Sequence, residues 1–198
     1  MSRRAYRQLA LEAARFLADG SESEYMHAKE RATMMLGLSE GVRWPSNRRI
    51  KEMIGQLTVE QLGKDEVSRR LREMRSIALA IMDVIDEYDP FLIGSTLSGK
   101  VRSGSDIDFH AYADDFNEIK DLLLQHGYED VDEEVIVNRK GEFVHLKWYE
   151  DQYPVEITVY PWSWRDIEPI SSITGRGMKR ATRDQVAHLL RSYSAGQL

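Results

Sequence analysis

Two carboxylates two positions apart, Asp106 and Asp108, are the residues of this sequence best suited to chemistry. They flank Ile107 in a run that alternates polar and apolar residues, as a β-strand with one buried face does. Side chains at positions i and i+2 of a strand point to the same face, so the two carboxylates should stand side by side. Ionised carboxylates this close repel each other and need a cation. Mg²⁺ or Mn²⁺ takes such oxygen ligands, often together with substrate phosphates.

A segment rich in glycine and serine, Gly94–Ser105, lies between these aspartates and a short apolar run that ends at Ile93. Small residues let a backbone come close to a ligand, and successive backbone N–H groups hold phosphate oxygens well. Lys100 and Arg102 are the only basic residues of the segment, so either could contact a triphosphate or an acceptor. The segment therefore predicts a phosphate-binding loop, with an ordinary hairpin loop as the alternative.

The spacing of Gly94, Gly99 and Lys100 also comes close to that of a nucleotide-binding P-loop. A P-loop needs Ser or Thr directly after the lysine, to hold Mg²⁺, and then a helix. Here Val101 follows the lysine, and the chain leads into a predicted strand. The P-loop interpretation is therefore disfavoured.

Gly94-Ser95, ten further residues and then Asp106-Ile-Asp108 resemble the signature of the polymerase-beta-type nucleotidyltransferase superfamily. That signature is Gly-Ser or Gly-Gly after a hydrophobic residue, a loop of about this length, and Asp-x-Asp or Asp-x-Glu between hydrophobic residues. The family adds a third carboxylate on a later strand, and Glu156 fits that position. The match covers residues 91–160 and departs from the pattern at Ser98, where many members carry Arg.

The resemblance implies an α+β fold and transfer of a nucleoside monophosphate from an NTP, expected to be ATP, to an acceptor with release of pyrophosphate. It implies that Asp106, Asp108 and Glu156 are the catalytic, metal-binding carboxylates, with Mg²⁺ or Mn²⁺ as cofactor in a two-metal mechanism. The expected nucleotide-binding residues lie in or beside the glycine-serine segment: Gly94, Ser95, Lys100, Arg102 and Ser105. Neither the acceptor (small molecule, RNA or protein) nor the oligomeric state follows from the sequence.

Alternation within the run Val155–Tyr160 gives a second reason to choose Glu156 as the third carboxylate. The apolar residues of this run share one face, which predicts that they enter the core and leave Glu156 on the open face. If this strand neighbours the one with the two aspartates, the three carboxylates converge on one face. Other acids fit less well, because they lie in a predicted turn or in the following loop: Glu150, Asp151 and Asp166.

Three further groups of residues have a functional and a structural interpretation. His110, predicted on the carboxylate face of its strand, and the pair His145 and Lys147 could line the acceptor side or be ordinary exposed strand residues. Four arginines on the longest predicted helix could form a phosphate- or RNA-binding edge, although a solvated helix face is the favoured interpretation: Arg69, Arg70, Arg72 and Arg75. A basic group near the end of the chain is expected to be solvated: Arg176, Lys179, Arg180 and Arg183.

Periodicity divides the chain into a helical N-terminal region, 1–88, and a nucleotidyltransferase-like domain with a small mixed sheet, 89–198. The first region carries four helical segments, the last of them predicted from about Lys64 to Tyr88. The second region carries strands at Phe91–Ile93, Ile107–Ala111 and Val155–Tyr160, and a hairpin formed by residues 131–137 and 143–149. Thr182 is predicted to cap a final helix.

Composition narrows the class of protein. With 198 residues and 42% hydrophobic residues, the chain can form one domain or two small ones. The net charge of −6 does not favour a general nucleic-acid binder, and the excess of acidic residues lies entirely in residues 89–198. The absence of cysteine excludes disulfides and thiolate sites. No apolar run is long enough for a membrane span or a signal peptide, so a cytoplasmic protein without a membrane partner is expected.

Two alternatives to the enzyme remain at the level of sequence. A non-catalytic module could keep the same fold and bind a nucleotide or a partner as a regulator. The three carboxylates argue against this module, whereas the departure at Ser98 argues for it. An RNA-directed enzyme that uses the helical region as a clamp is the other alternative, and the nearly neutral charge of residues 1–88 gives it little support.

Overall fold

The structure is a computed structural model that describes residues 2–38, 41–102, 104–138, 141–170 and 177–194. These residues form two compact units. The first contains the described residues of Met1–Val67 and Lys100–Gly104. The second contains those of Ser68–Gly99, Ser105–Ile170 and Gly177–Leu198. Each helix in the described ranges is too short or too polar to cross a lipid bilayer. Of the basic group predicted near the end of the chain, Arg176 lies outside the described residues.

The fold is α+β, as predicted, with seven helices and five strands among the described residues. The helices are α1 (Arg3–Ala18), α2 (Tyr25–Met35), α3 (Asn47–Leu62), α4 (Lys64–Val84), α5 (Gly94–Ser98), α6 (Phe116–Gln125) and α7 (Arg183–Ser194). The strands are β1 (Phe91–Leu92), β2 (Ile107–Tyr112), β3 (Asp132–Asn138), β4 (Gly141–Glu150) and β5 (Tyr153–Tyr160). Short 3₁₀ turns cover Asp86–Tyr88 and Trp162–Trp164.

In the first unit, α1 packs against both α2 and α3 around an apolar core. Residues at helical spacing on α1 are fully or almost fully buried: Leu9, Ala10, Ala13, Ala14 and Leu17. The side chains of Ser2 and Ser46 cap α1 and α3 by accepting hydrogen bonds from the backbone N–H groups of Ala5 and Arg49. The patterning of this unit is therefore the amphipathic one that the sequence predicts.

The second unit is built on a five-stranded mixed sheet in the order β1-β2-β5-β4-β3. The pair β2–β5 is parallel, and the other three pairs are antiparallel. The inward residues of the two central strands are those that the alternation predicts, with at most 5% exposure: Ile107, Phe109, Ala111, Val155, Ile157 and Val159. Burial of this apolar face on both central strands fixes their register, since a slip of one residue would expose it.

Two local predictions were wrong. Gly94–Ser98, expected as the start of a loop, forms the short helix α5. Helix α4 ends at Val84 rather than Tyr88, because the chain tightens into a 3₁₀ turn before Pro90.

A matched pair of valine substitutions tests which side chains of the sheet belong to the hydrophobic core. Val155→Ala on the central strand β5 removes buried carbon from a side chain that is 2% exposed. The expected loss is about 2 kcal/mol of unfolding free energy, from the transfer of the two carbons and the cavity left behind. Val137→Ala on the edge strand β3 removes the same atoms from a side chain that is 73% exposed, and should change stability by less than about 0.5 kcal/mol. Urea unfolding of both variants measures the difference, and equal losses would contradict the assigned core.

Candidate active site

The pairing of β2 with β5 brings the predicted carboxylates onto neighbouring strands. In this parallel pair Asp108 is the register partner of Glu156, and Asp106 stands directly before the first residue of β2. The three carboxylates are partly exposed, whereas the residues directly before and after each of them along the strand are buried. The two strands are therefore neighbours, which was the condition for the carboxylates to share one face, and acidic side chains stand beside each other at one end of the parallel pair.

The backbone of Gly94 lies closer to the carboxylate of Asp108 than the backbone of a residue with a side chain could. A Cβ at this position would stand 2.1 Å from Oδ2 of Asp108, which is far inside van der Waals contact. The backbone φ angle of Gly94 is also +73°, a conformation that residues with a Cβ rarely adopt. Steric space and backbone conformation therefore both require glycine here, as the close approach of a backbone to an acidic site demands.

The segment around Gly94, at the start of α5, is hydrogen-bonded to the backbone carbonyls of both aspartates. Ile93 donates its N–H to the carbonyl of Asp108 at 2.9 Å, in line with the antiparallel β1–β2 pairing. The buried hydroxyl of Thr96 donates to the carbonyl of Asp106, also at 2.9 Å. The residues at the start of α5 and the two aspartates are consequently joined by hydrogen bonds.

Arg75 of α4 donates hydrogen bonds to the C-terminal end of α5. Its Nε donates to the carbonyl of Thr96 at 3.1 Å, and its Nη2 donates to the carbonyl of Leu97 at 2.9 Å. These carbonyls lie in the last turn of α5, where helix carbonyls have no partner within the helix. Arg75 is only 5% exposed, so the interpretation of all four helix arginines as a solvated face was wrong for this residue. It caps α5 from the interior of the protein.

Glu156 is held by two basic side chains of the adjacent strand β4. His145 Nδ1 lies 3.1 Å from Oε1 of Glu156, and Lys147 Nζ lies 3.4 Å from Oε2. The hydrogen bond from His145 lowers the pKa of the Glu156 carboxyl below its usual value, with Lys147 adding to the effect and burial opposing it. Lys147 also pairs with Glu134 of β3, and that contact raises the pKa of the lysine. Glu156 is therefore an anion at neutral pH.

The donor chemistry at this end of the sheet fits Mg²⁺, because Asp106, Asp108 and Glu156 offer only carboxylate oxygens. Within the described ranges, however, no group of three or more His, Asp or Glu side chains has the arrangement of a metal site. The contacts of Glu156 with His145 and Lys147 account for this, since they turn its oxygens toward β4. For Glu156 to hold an ion, it would have to exchange its contacts with His145 and Lys147.

The remaining predicted residues fall into both units. Ser95 belongs to the same turn as Gly94 in the second unit, and Ser105 is buried there directly before Asp106. Lys100 and Arg102 belong to the first unit, where Nη1 of Arg102 donates to the carbonyl of Leu17 at 2.7 Å. The structure therefore does not bring all five predicted nucleotide-binding residues into one unit.

His110 was predicted on the open face of β2, but its side chain is only 3% exposed. Its ring packs edge-on against the ring of Tyr160 at a centroid distance of 4.9 Å. Aromatic rings farther along β4 and β5, including Phe143, extend the cover over this part of the sheet. Only the beginning of the predicted open face, at the carboxylates, is therefore open.

Similarity to known proteins is found among solved structures. No protein-family model matches this chain, and no curated protein does. One structural neighbour is a cytoplasmic RNA terminal U-transferase, with 13% sequence identity, 76% of this chain covered and a TM-score of 0.34. Another is the GLD-2/RNP-8 complex, with 15% identity, 73% coverage and a TM-score of 0.34.

This chain spans less than half the length of either neighbour, 43% of the first and 44% of the second. Both overlaps are distant, and the function proposed below depends instead on the geometry of the carboxylates and the glycine turn.

Arg75 is the residue of this site that the functional interpretation of the sequence missed. Its position contained the signal, because it lies four residues after Leu71 and three before Ala78 on the apolar stripe of α4. An arginine on a buried stripe must find hydrogen-bond acceptors inside the protein. Its partners, two carbonyls of a helix that the sequence did not predict, could be identified only in the folded chain.

Substitution of Gly94 tests the contact with Asp108. Gly94→Ala should lose about 1–2 kcal/mol from the positive φ angle and about 1–3 kcal/mol more from the clash with the carboxylate. Gly20→Ala is the matched control, because Gly20 has a φ of +77° and nothing within 4 Å of the position that an added methyl group would occupy. Chemical denaturation of both variants separates the two costs. Equal destabilisation would show that Asp108 moves aside without cost.

Substitution of Arg75 tests the cap on α5. Arg75→Met should destabilise the protein by about 1.5–3 kcal/mol, since charged hydrogen bonds are lost and the carbonyls of Thr96 and Leu97 lose a donor. Arg72→Met, at an exposed position of the same helix, should stay within about 0.5 kcal/mol of wild type. Thermal and urea unfolding give both values. If Arg72→Met destabilised the protein as much as Arg75→Met, the loss would come from removing a positive charge from α4 and not from removing the cap of α5.

Proposed function

We propose that this protein is a metal-dependent nucleotidyltransferase that moves a nucleoside monophosphate from an NTP, with ATP as the expected donor, to an acceptor hydroxyl or phosphate. The observation that carries this proposal is the β2–β5 register, which sets Asp108 beside Glu156 with Asp106 two residues away. The second support is the glycine whose backbone abuts Asp108. Together they match the arrangement that the sequence signature of polymerase-beta-type nucleotidyltransferases implies.

Each candidate residue has a role that follows from its position. The amides of Gly94 and Ser95 open helix α5, where backbone N–H groups have no helical partner and can donate to phosphate oxygens. Asp106 and Asp108 would hold Mg²⁺ or Mn²⁺, with Glu156 joining them after it leaves His145 and Lys147. The bound ions would neutralise phosphate charge and lower the pKa of the acceptor. Arg75 and Thr96 keep the turn and the aspartates in register.

The proposed reaction needs only the NTP and the acceptor as reactants. The acceptor oxygen forms a bond to the α-phosphorus of the NTP. The bond from that phosphorus to the bridging oxygen breaks, and pyrophosphate leaves with the electron pair. The proton of the acceptor passes to Glu156 or to solvent, and the charge that develops on the phosphoryl oxygens is the main quantity to be stabilised.

A non-catalytic, nucleotide-binding regulatory module is the second candidate. The observation that favours it is the present engagement of Glu156 with His145 and Lys147, which leaves the third carboxylate turned away from the aspartates. The experiment that separates the two is a transfer screen with each α-labelled NTP and Mg²⁺ against small molecules, RNA and protein. Labelled product with released pyrophosphate supports the enzyme. A rise in melting temperature with Mg²⁺ and NTP, without product in any arm, supports the module.

Asp106→Asn and Asp108→Asn should each abolish transfer and leave the fold intact, because an amide keeps the shape of the side chain and removes the charge that holds the ion. Without metal, either change should leave stability unchanged or raise it, since it relieves repulsion between like charges. Transfer assays and thermal melts in EDTA give both results. Near-normal turnover by either variant in Mg²⁺ would contradict the metal assignment.

Glu156→Gln should lose most transfer activity but keep most NTP binding, because the two aspartates would hold the ion that accompanies the triphosphate. Single-turnover transfer beside NTP titration in Mg²⁺ measures the two effects. Asp166→Asn is the control, since its side chain is 96% exposed and it follows β5 outside the cluster. Wild-type transfer by Glu156→Gln, with loss on replacing Asp166, would show that the third carboxylate was assigned to the wrong residue.

A further inference from the structure

A row of alternating charges crosses the sheet from its edge strand to the candidate metal site. Glu134 lies on the edge strand β3, Lys147 on β4 and Glu156 on β5, the strand that pairs with β2 and its Asp108. Lys147 is the register partner of Glu156, and its ammonium group pairs with the carboxylates of both Glu134 and Glu156. One cation therefore bridges the proposed third metal ligand and a carboxylate at the edge of the sheet.

The two contacts of Lys147 are unequal. Its ammonium group donates a hydrogen bond to Oε2 of Glu134, and this bond is the main cause of the raised pKa of the lysine. The same nitrogen lies 3.4 Å from Oε2 of Glu156, which is longer than the roughly 2.7–2.9 Å of a charge-assisted hydrogen bond. Lys147 is therefore held more closely by Glu134 than by Glu156.

An ion that binds Glu156 has to compete with the basic side chains that its oxygens already contact. Oε1 lies 3.1 Å from Nδ1 of His145, and Oε2 faces Lys147. A lysine that is displaced without another partner would leave a half-buried charge unpaired, which is costly. Glu134 avoids this cost, because it lies outside the proposed metal-binding set and already accepts a hydrogen bond from Lys147.

We propose that Lys147 and Glu134 are positioning residues of the metal site: Lys147 holds Glu156 away from the ion until metal binds, and Glu134 keeps Lys147 when Glu156 is released. This inference rests on the proposed function, since it requires Glu156 to be a metal ligand. Lys147 and the ion then alternate on one carboxylate. The affinity for metal consequently depends on how strongly Glu134 competes for the lysine.

Manganese binding measures this competition, because Mn²⁺ takes the same oxygen ligands as Mg²⁺ and its free form is counted directly by electron paramagnetic resonance. Lys147→Met should bind Mn²⁺ about threefold to fivefold more tightly than wild type, since the competing cation is removed. Glu134→Gln should bind Mn²⁺ about threefold more weakly, because Lys147 then has Glu156 as its one charged partner in the row. Unchanged affinity in both variants would overturn the proposal.

The ion pair of Lys120 with Glu133 provides the matched control. Glu133 directly precedes Glu134 on β3, so its side chain points to the opposite face of the sheet, where it pairs with Lys120 of α6. Lys120→Met and Glu133→Gln make the same changes in net charge as the test variants. At physiological salt, where distant charges are screened, each should shift Mn²⁺ affinity by less than about 1.5-fold. Shifts as large as those of Lys147→Met and Glu134→Gln would show that net charge alone sets the affinity.

A double-mutant cycle tests whether Lys147 acts through Glu156. In the Glu156→Gln background, Lys147→Met should change Mn²⁺ affinity by less than about 1.5-fold, because the carboxylate that the lysine holds is gone. Lys147→Arg, which keeps a cation able to pair with both carboxylates, should stay within about twofold of wild type. The same tightening by Lys147→Met in both backgrounds would overturn the positioning role.

Mn²⁺ titration beside the transfer screen separates this inference from the proposed function. Transfer by a wild type whose Mn²⁺ affinity does not respond to Lys147→Met or Glu134→Gln overturns the positioning role alone. The expected responses of Mn²⁺ affinity without transfer to any acceptor support the positioning role and the regulatory module, and overturn the enzyme. If neither wild type nor Lys147→Met binds Mn²⁺, both the metal site and the positioning role are overturned.

Discussion

The parallel pairing of β2 with β5 is the constraint on which the rest of the second unit depends. Their apolar residues must enter one core, and because strand side chains alternate, the polar residues of both strands are forced onto the opposite face. Acidic side chains thereby become neighbours, and their mutual repulsion has to be balanced. At Glu156, Lys147 offsets this repulsion as an ion-pair partner and His145 contributes a hydrogen bond. In the proposed function, a divalent cation bound by the aspartates would offset it further.

The glycine turn shows how the interior of the protein supports an exposed site. Gly94 can approach Asp108 only if α5 is held against β2, and that position is fixed by buried hydrogen bonds from Thr96 and Arg75. A charged side chain is expensive to bury, and Arg75 is stable there because it donates to carbonyls that have no helical partner. The same bonds that cap α5 therefore set the distance between the backbone amides and the carboxylates.

Charge is distributed so that one end of the sheet is strongly acidic. The carboxylates at the candidate metal site and those around the β4–β5 turn line a common cleft. In the proposed reaction, metal ions would neutralise the first group, and the triphosphate would be bound through these ions and backbone amides rather than repelled by the carboxylates.

Local pattern determined much of this protein. Alternation in the two central strands predicted their buried faces, and the resemblance to a nucleotidyltransferase signature, from Gly94 to Glu156, named the candidate carboxylates before any fold was known. Periodicity also predicted helices in the N-terminal part of the chain, because amphipathic spacing depends only on neighbours along the chain. Tertiary structure decided what depends on partners distant in sequence. It turned the first five residues of the glycine-serine segment into a helix capped by Arg75, buried His110 against Tyr160, and paired Glu156 with residues of β4. A sequence specifies which side chain a strand presents, but the groups that meet it are chosen only when the strands assemble.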